Sequence, residues 1–146
     1  MWPPKFESRI TAIGAAIAIN KPHEDYPLRV KTTRCLIEEF DSMHLNITER
    51  LIKSVHSHVM CERKGRGFYR SYNVRVGTYI PPDHLQVRDL MEVFLPRSIW
   101  KLSDLENFYI KFEEIHPFSD GNGRVGGIII AGLSYILTGK YMVSGV

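Results

Sequence analysis

A chain of 146 residues, 44% hydrophobic and 24% charged, is long enough for one compact domain with its own core and short for two. Its net charge of +3 is mild and not gathered into one block, so nothing in it demands nucleic acid, and it suits a small polyanionic ligand equally well. Cys35 and Cys61 lack metal-ligand spacing and read as reduced thiols, and no apolar run reaches the roughly 20 residues a bilayer requires; with no basic-then-apolar leader pattern, the expected place of action is the cytoplasm, without a membrane partner.

The elements follow in order. Ile10, Ile13 and Ile17 lie at helical spacing and predict a helix over residues 7–20. Pro22 and Pro27 bracket a polar turn, and a second helix is expected over 28–41 with Val30, Leu36, Ile37 and Phe40 inward. Asn46 or Thr48 can cap a third, whose Leu51, Ile52, Val55 and Val59 mark the inner face. His56 and His58 on that helix point apart, cannot share a metal, and read as surface histidines. Gly65-Arg66-Gly67 breaks the pattern, and residues 68–80 turn aromatic and β-branched, which predicts an irregular β-hairpin with Val74-Arg75-Val76 as its exposed strand. Arg66, Arg70, Arg75 and Lys64 form a loose cationic group there, common on ordinary hairpins and no strong sign of nucleic acid. A fourth helix opens at Pro82 or Asp83 and stops before Pro96, with Leu85, Leu90, Met91, Val93 and Phe94 supplying apolar contacts. Ser103-x-x-Glu106 reads as a capping box for a fifth beginning at Leu102 or Ser103, carrying Leu105, Phe108, Tyr109, Phe112 and Ile115. The apolar run from Val125 to Leu137 is a buried central helix. The fold class is mostly α: one helical bundle over residues 1–146, core about 28–140, with a single hairpin flap.

Between the last two helices stands His116-Pro117-Phe118-Ser119-Asp120-Gly121-Asn122-Gly123-Arg124. An imidazole, a carboxylate, two glycines and a guanidinium just ahead of an apolar helix describe an anion site, because unpaired N–H groups and the positive dipole end meet there. Gly121-x-Gly123-x-x-Gly126 satisfies a dinucleotide fingerprint only formally: no strand precedes it and no acidic residue follows Asp120. A phosphate loop of the Walker type needs Lys then Ser or Thr after its last glycine, and Ile128 follows Gly127. A plain structural turn is the remaining reading of Gly-Asn-Gly alone.

The whole string resembles the signature of the Fic family, His-x-Phe-x-Asp/Glu-Gly-Asn-Gly-Arg-x-x-Arg, and departs from it only at Gly127, where the family has its second Arg. The resemblance implies an enzyme that moves AMP from ATP onto a Ser, Thr or Tyr hydroxyl of a target protein. It makes His116 the general base and Asp120 the Mg²⁺ ligand. Phe118, Gly121, Asn122, Gly123 and Arg124 become the nucleotide-binding loop, with Phe118 its anchor in the core. The chemistry asks for such groups independently, since a hydroxyl needs a base titrating near neutrality and Mg²⁺ is held by one or two carboxylates plus phosphate oxygens. Gly67-Phe68-Tyr69-Arg70 and Val74-Arg75-Val76-Gly77 resemble the family's flap, which implies that Val74, Arg75 and Val76 dock the target by strand addition. The inhibitory pattern Ser/Thr-x-x-x-Glu finds no Glu, since Ala12 follows Ser8 and Ala15 follows Thr11; a separate inhibitory chain or a homo-oligomer stays open as partner. Because the second Arg usually engages the γ-phosphate, Gly127 implies weakened or donor-shifted transfer. A non-catalytic module that binds nucleotide or a partner, and an enzyme using another donor or removing the modification, are the alternatives.

Overall fold

The computed structural model describes residues 46–60 and 65–138; the expected helices over 7–20 and 28–41, and Cys35, Cys61 and Lys64, lie outside them. Among the described residues the fold is mostly helical: β1 (Asn46–Ile47), α1 (Glu49–Met60), α2 (His84–Phe94), β2 (Arg97–Ser98), α3 (Leu102–Ile115) and α4 (Asn122–Thr138). None of these helices is long and apolar enough to cross a membrane.

The first three helices start where a side chain accepts an otherwise unpaired N–H. Thr48 Oγ1 accepts from Leu51 N at 3.1 Å and opens α1, and Asp83 Oδ1 accepts from Leu85 N at 2.9 Å and opens α2. Helix α3 begins at Leu102, as expected, but with a different cap: Asp104 Oδ2 accepts from the backbone N–H of Trp100 (2.9 Å) and Lys101 (3.1 Å), and the Ser103–Glu106 pair does not cap it.

The apolar stripes meet around α4, which packs against both α3 and α1, while α2 packs on α3. Val125, Ile128, Ile129 and Leu133 of α4 are fully buried. On α1 the expected inner face of Leu51, Ile52, Val55 and Val59 is buried, and on α3 Leu105, Phe108, Phe112 and Ile115 are. Helix α2 corrects its expectation. Its inner face is Val87, Met91 and Phe94, spaced four and three residues apart, whereas Leu85 (78% exposed) and Val93 (89%) fall on the opposite side. Gly126 lets α3 and α4 approach, for a Cβ there would lie 2.9 Å from the Tyr109 ring.

Strand pairing appears in a different place from the one expected. β1 and β2 pair antiparallel, Asn46 opposite Ser98 and Ile47 opposite Arg97. In the 68–80 segment only Val76 and Tyr79 bridge, closing a tight turn over Gly77 (φ 60°), and Val74-Arg75-Val76 is not a regular strand. The reason is the lack of a partner: the chain leaves the turn directly into Pro81-Pro82, and the N–H groups a second rung requires are missing at proline.

Candidate active site

Helix α3 ends in a left-handed residue that is not glycine. His116 sits at φ 51°, ψ 62°, and its N–H donates to Phe112 O at 2.9 Å. The left-handed turn swings the chain out of the helix through Pro117 and leaves the imidazole half-buried at the loop's mouth. Burial lowers the imidazole's pKa from its ordinary value, the Arg70 charge lowers it further, and the Glu113 backbone carbonyl works in the opposite direction. That carbonyl forms no hydrogen bond of normal geometry with the ring: Nδ1 of His116 is buried without a partner among the described residues. A neutral imidazole near pH 7 is the state a general base needs.

The loop closes on itself four residues apart. Phe118 N donates to Asn122 Oδ1 at 3.0 Å and Asn122 Nδ2 donates to Phe118 O at 2.7 Å, a reciprocal pair that is wholly buried. The Asn122 side chain is therefore engaged in holding the loop's shape. Phe118 is fully buried, stacked on the His56 ring (3.7 Å between centroids, 7° between planes) and tilted against Phe112 (6.5 Å) and Tyr69 (5.6 Å). Its ring is thus an anchor of the loop in the core. Gly121 takes φ +84°, and a Cβ there would lie 2.8 Å from Met60 Sδ and 3.6 Å from the His56 ring. Gly123 faces open space.

Two opposite charges stand at the loop's other side. Arg124 Nη2 lies 3.2 Å from Asp120 Oδ2; the Arg side chain is 7% exposed and the Asp side chain 62%. Asp120 Oδ1 also accepts from Gly121 N at 2.8 Å. The first turn of α4 adds N–H groups that lack partners within the helix. The loop thus joins a half-buried imidazole, an exposed carboxylate, a nearly buried guanidinium and a helix N-terminus.

Two residues outside the signature hold it in place. His56, expected at the surface, is 2% exposed. Its Nδ1 accepts from Gly67 N at 2.8 Å, and its Nε2 lies 2.9 Å from Asp120 O. The carbonyl only accepts, so Nε2 carries the proton and the ring bridges loop and flap base in its neutral form. Burial holds its pKa below the ordinary value, against the raising effect of the Asp120 carbonyl. Spacing could have shown this, because Ile52, His56 and Val59 recur four and three residues apart on one helix face. Arg70, first grouped with a surface cation cluster, is 5% exposed and spans four backbone carbonyls. His58 is only half-buried and turns back on its own helix, with Nδ1 2.8 Å from Ser54 O.

In the flap, Val74 is half-buried and Arg75 and Val76 are exposed. The segment is pinned to α3 by Tyr79 Oη donating to Glu114 O at 2.7 Å, and to α2 by His84 N donating to Asn73 Oδ1 at 2.8 Å. A groove of about 450 Å³ lies elsewhere, between α2 and α3, lined by Leu90, Val93, Phe94, Ile110 and others; it includes no signature residue. No cluster of three metal-ligating side chains exists among the described residues. Within the signature loop Asp120 offers an exposed carboxylate, which with phosphate oxygens and water is a donor set of the kind Mg²⁺ accepts.

Comparison with known proteins agrees with this architecture. The sequence model of the Fic/DOC family matches residues 46–133, a span running from β1 through the signature loop into α4. A solved structure of a Fic family protein from Desulfovibrio desulfuricans G20 superposes with a TM-score of 0.59 at 22% identity, covering 94% of this chain and 51% of that one. The chain thus spans about half the length of that neighbour, and the likeness concerns the fold. A search of curated proteins gives no significant match. Because the family model matches more than half of the sequence, the chain belongs to the Fic/DOC family.

Proposed function

We propose that this protein transfers AMP from ATP onto a Ser, Thr or Tyr hydroxyl of a target protein, with His116 as general base. The observation carrying the proposal is the joining of a half-buried, pKa-lowered imidazole to an exposed carboxylate and a nearly buried guanidinium by one closed turn at a helix N-terminus. In this reading the target hydroxyl gives its proton to His116 as its oxygen bonds to the α-phosphorus, and the bond from that phosphorus to pyrophosphate breaks. Asp120 would hold Mg²⁺, which when bound neutralises charge on the phosphate oxygens. Arg124 and the N–H groups of Asn122 and Gly123 would cradle those oxygens, with Gly121, whose N–H is given to Asp120 Oδ1, shaping the turn beside them. Open space at Gly123 supports the cradle, since a backbone that a ligand approaches needs room where a side chain would stand. The exposed Arg75 and Val76, with Val74 beside them, would dock the target segment by main-chain pairing.

Gly127 is buried in α4 and supplies no cation for a terminal phosphate. A charge-assisted hydrogen bond of that sort contributes about 1.5 to 3 kcal/mol, or one to two decades of rate. Its absence favours slow transfer from ATP, or a nucleoside diphosphate or other pyrophosphate-containing donor.

The test is incubation of the protein with Mg²⁺, candidate target proteins and a panel of labelled donors, read by mass. Wild type is expected to modify protein, and His116→Ala to do so on the order of 10² to 10⁴ less. Equal absence of any mass shift in both, across the panel, removes the enzymatic reading; calorimetry showing nucleotide binding would then leave a binding module.

A further inference from the structure

A helix end leaves carbonyls without intrahelical partners, and α3 meets this need with a side chain from 46 positions away. Arg70 Nε donates to His116 O at 2.8 Å, and its Nη2 reaches Ile115 O at 3.4 Å. The same guanidinium donates to Tyr72 O at 3.2 Å and to Pro82 O, at the two ends of the flap. Its backbone N–H donates to Pro117 O at 2.9 Å. One nearly buried side chain therefore binds the carbonyls on both sides of the flap and the last two of the helix that delivers the base. A planar fork with five donors can span such diverging acceptors, and an ammonium cannot.

His116 needs holding. A left-handed backbone is costly for a side chain with a Cβ and persists only where the surroundings over-determine it. A cation at a helix C-terminus also complements the dipole.

We propose that Arg70 is a positioning residue for His116: it fixes the base's left-handed turn through the His116 carbonyl and ties the flap to the same point, so that base and docking segment keep one geometry. The inference rests on His116 being the base of the transfer proposed above. Its charge adds a second effect. Beside the half-buried imidazole it opposes protonation together with burial, while the Glu113 carbonyl on α3 favours it.

The first arm needs only wild-type protein. In nitrogen-15 spectra the Arg70 Nε–H should exchange slowly with solvent and show contacts to residues 115 and 116; exchange at the rate of an exposed arginine overturns the proposal. The second arm follows the His116 ring by NMR. Arg70→Gln should move its titration midpoint upward, and Arg70→Lys, which keeps the charge, should leave it near the wild-type value. The third arm is donor turnover, where both variants should lose kcat on the order of 100-fold with donor KM little changed, as for a misplaced catalytic group. Full kcat in Arg70→Lys, or an unmoved midpoint in a folded Arg70→Gln, sinks the idea. Should wild type turn over no donor at all, the transfer reading falls, and the two NMR arms still decide the positioning.

Discussion

Gly121 and Gly123 sit two positions apart in the signature and do opposite things. Gly121 holds a left-handed backbone with its Cα against Met60 and His56, so Gly121→Ala should destabilise the fold by about 1 to 2 kcal/mol, seen as a lowered Tm. Gly123 is in the first turn of α4 with nothing near it; Gly123→Ala should leave Tm unchanged or raise it by the helix preference of Ala, about 0.5 to 1 kcal/mol. On the proposed function, the same change should weaken nucleotide binding, because the methyl group intrudes where phosphate approaches. Calorimetric titration beside thermal melts separates the two effects, and a Gly123→Ala protein that binds nucleotide as tightly as wild type removes Gly123 from the cradle.

At the level of elements, the contact between α3 and α4 carries an unusual pair. Gly126 lies under the Tyr109 ring, and Glu113 one turn later has a buried Oε1 with no hydrogen-bond partner among the described residues. Burial raises the Glu113 pKa, so folding favours the protonated form more than the unfolded chain does. The sign follows: Glu113 penalises folding as pH rises from the ordinary carboxyl value toward its raised one, since the unfolded chain loses that proton first. Glu113→Gln is therefore expected to melt higher than wild type at pH 7 and to lose this advantage in acid. A wild-type-like Tm at pH 7 would show that the carboxyl is solvated. Gly126→Ala, in contrast, should cost about 1 to 3 kcal/mol by overpacking against Tyr109, offset in part by better helix propensity.

At the scale of the whole molecule, two histidines among the described residues contribute to the acid response. His56 and His116 both have pKa values lowered chiefly by burial. Each contributes stability that is complete above the unfolded imidazole value near 6.5 and is lost as pH falls through its lower folded value. Thermal melts should show Tm declining as pH drops below about 6.5, well before most carboxylates titrate. A flat Tm between pH 7 and 5 would mean that neither ring is held neutral by the fold. His56 makes the decline more than local, because it bridges Gly67 at the flap base and Asp120 in the loop while stacking on Phe118. From Phe118 the row of rings continues through Phe112 and Phe108 to Phe94, so α1, the loop, α3 and α2 share one aromatic spine.

Periodicity and local chemistry made much of this legible. The inner faces of α1 and α3, the caps at Thr48 and Asp83 and the loop between two helices follow from short-range rules, because helical spacing and capping act within four residues, whereas the anchoring place of Phe118 was implied by the family resemblance. The signature was readable for the same reason: its chemistry is contiguous. What only the tertiary structure decided spans long separations. His56 meets Asp120 across 64 positions and Arg70 meets His116 across 46. A polar side chain looks alike in sequence whether it faces water or fills a buried set of carbonyls. The flap strand was decided there too, since a strand exists only where another lies beside it, and the pairing went instead to β1 and β2, which bring Asn46–Ile47 against Arg97–Ser98.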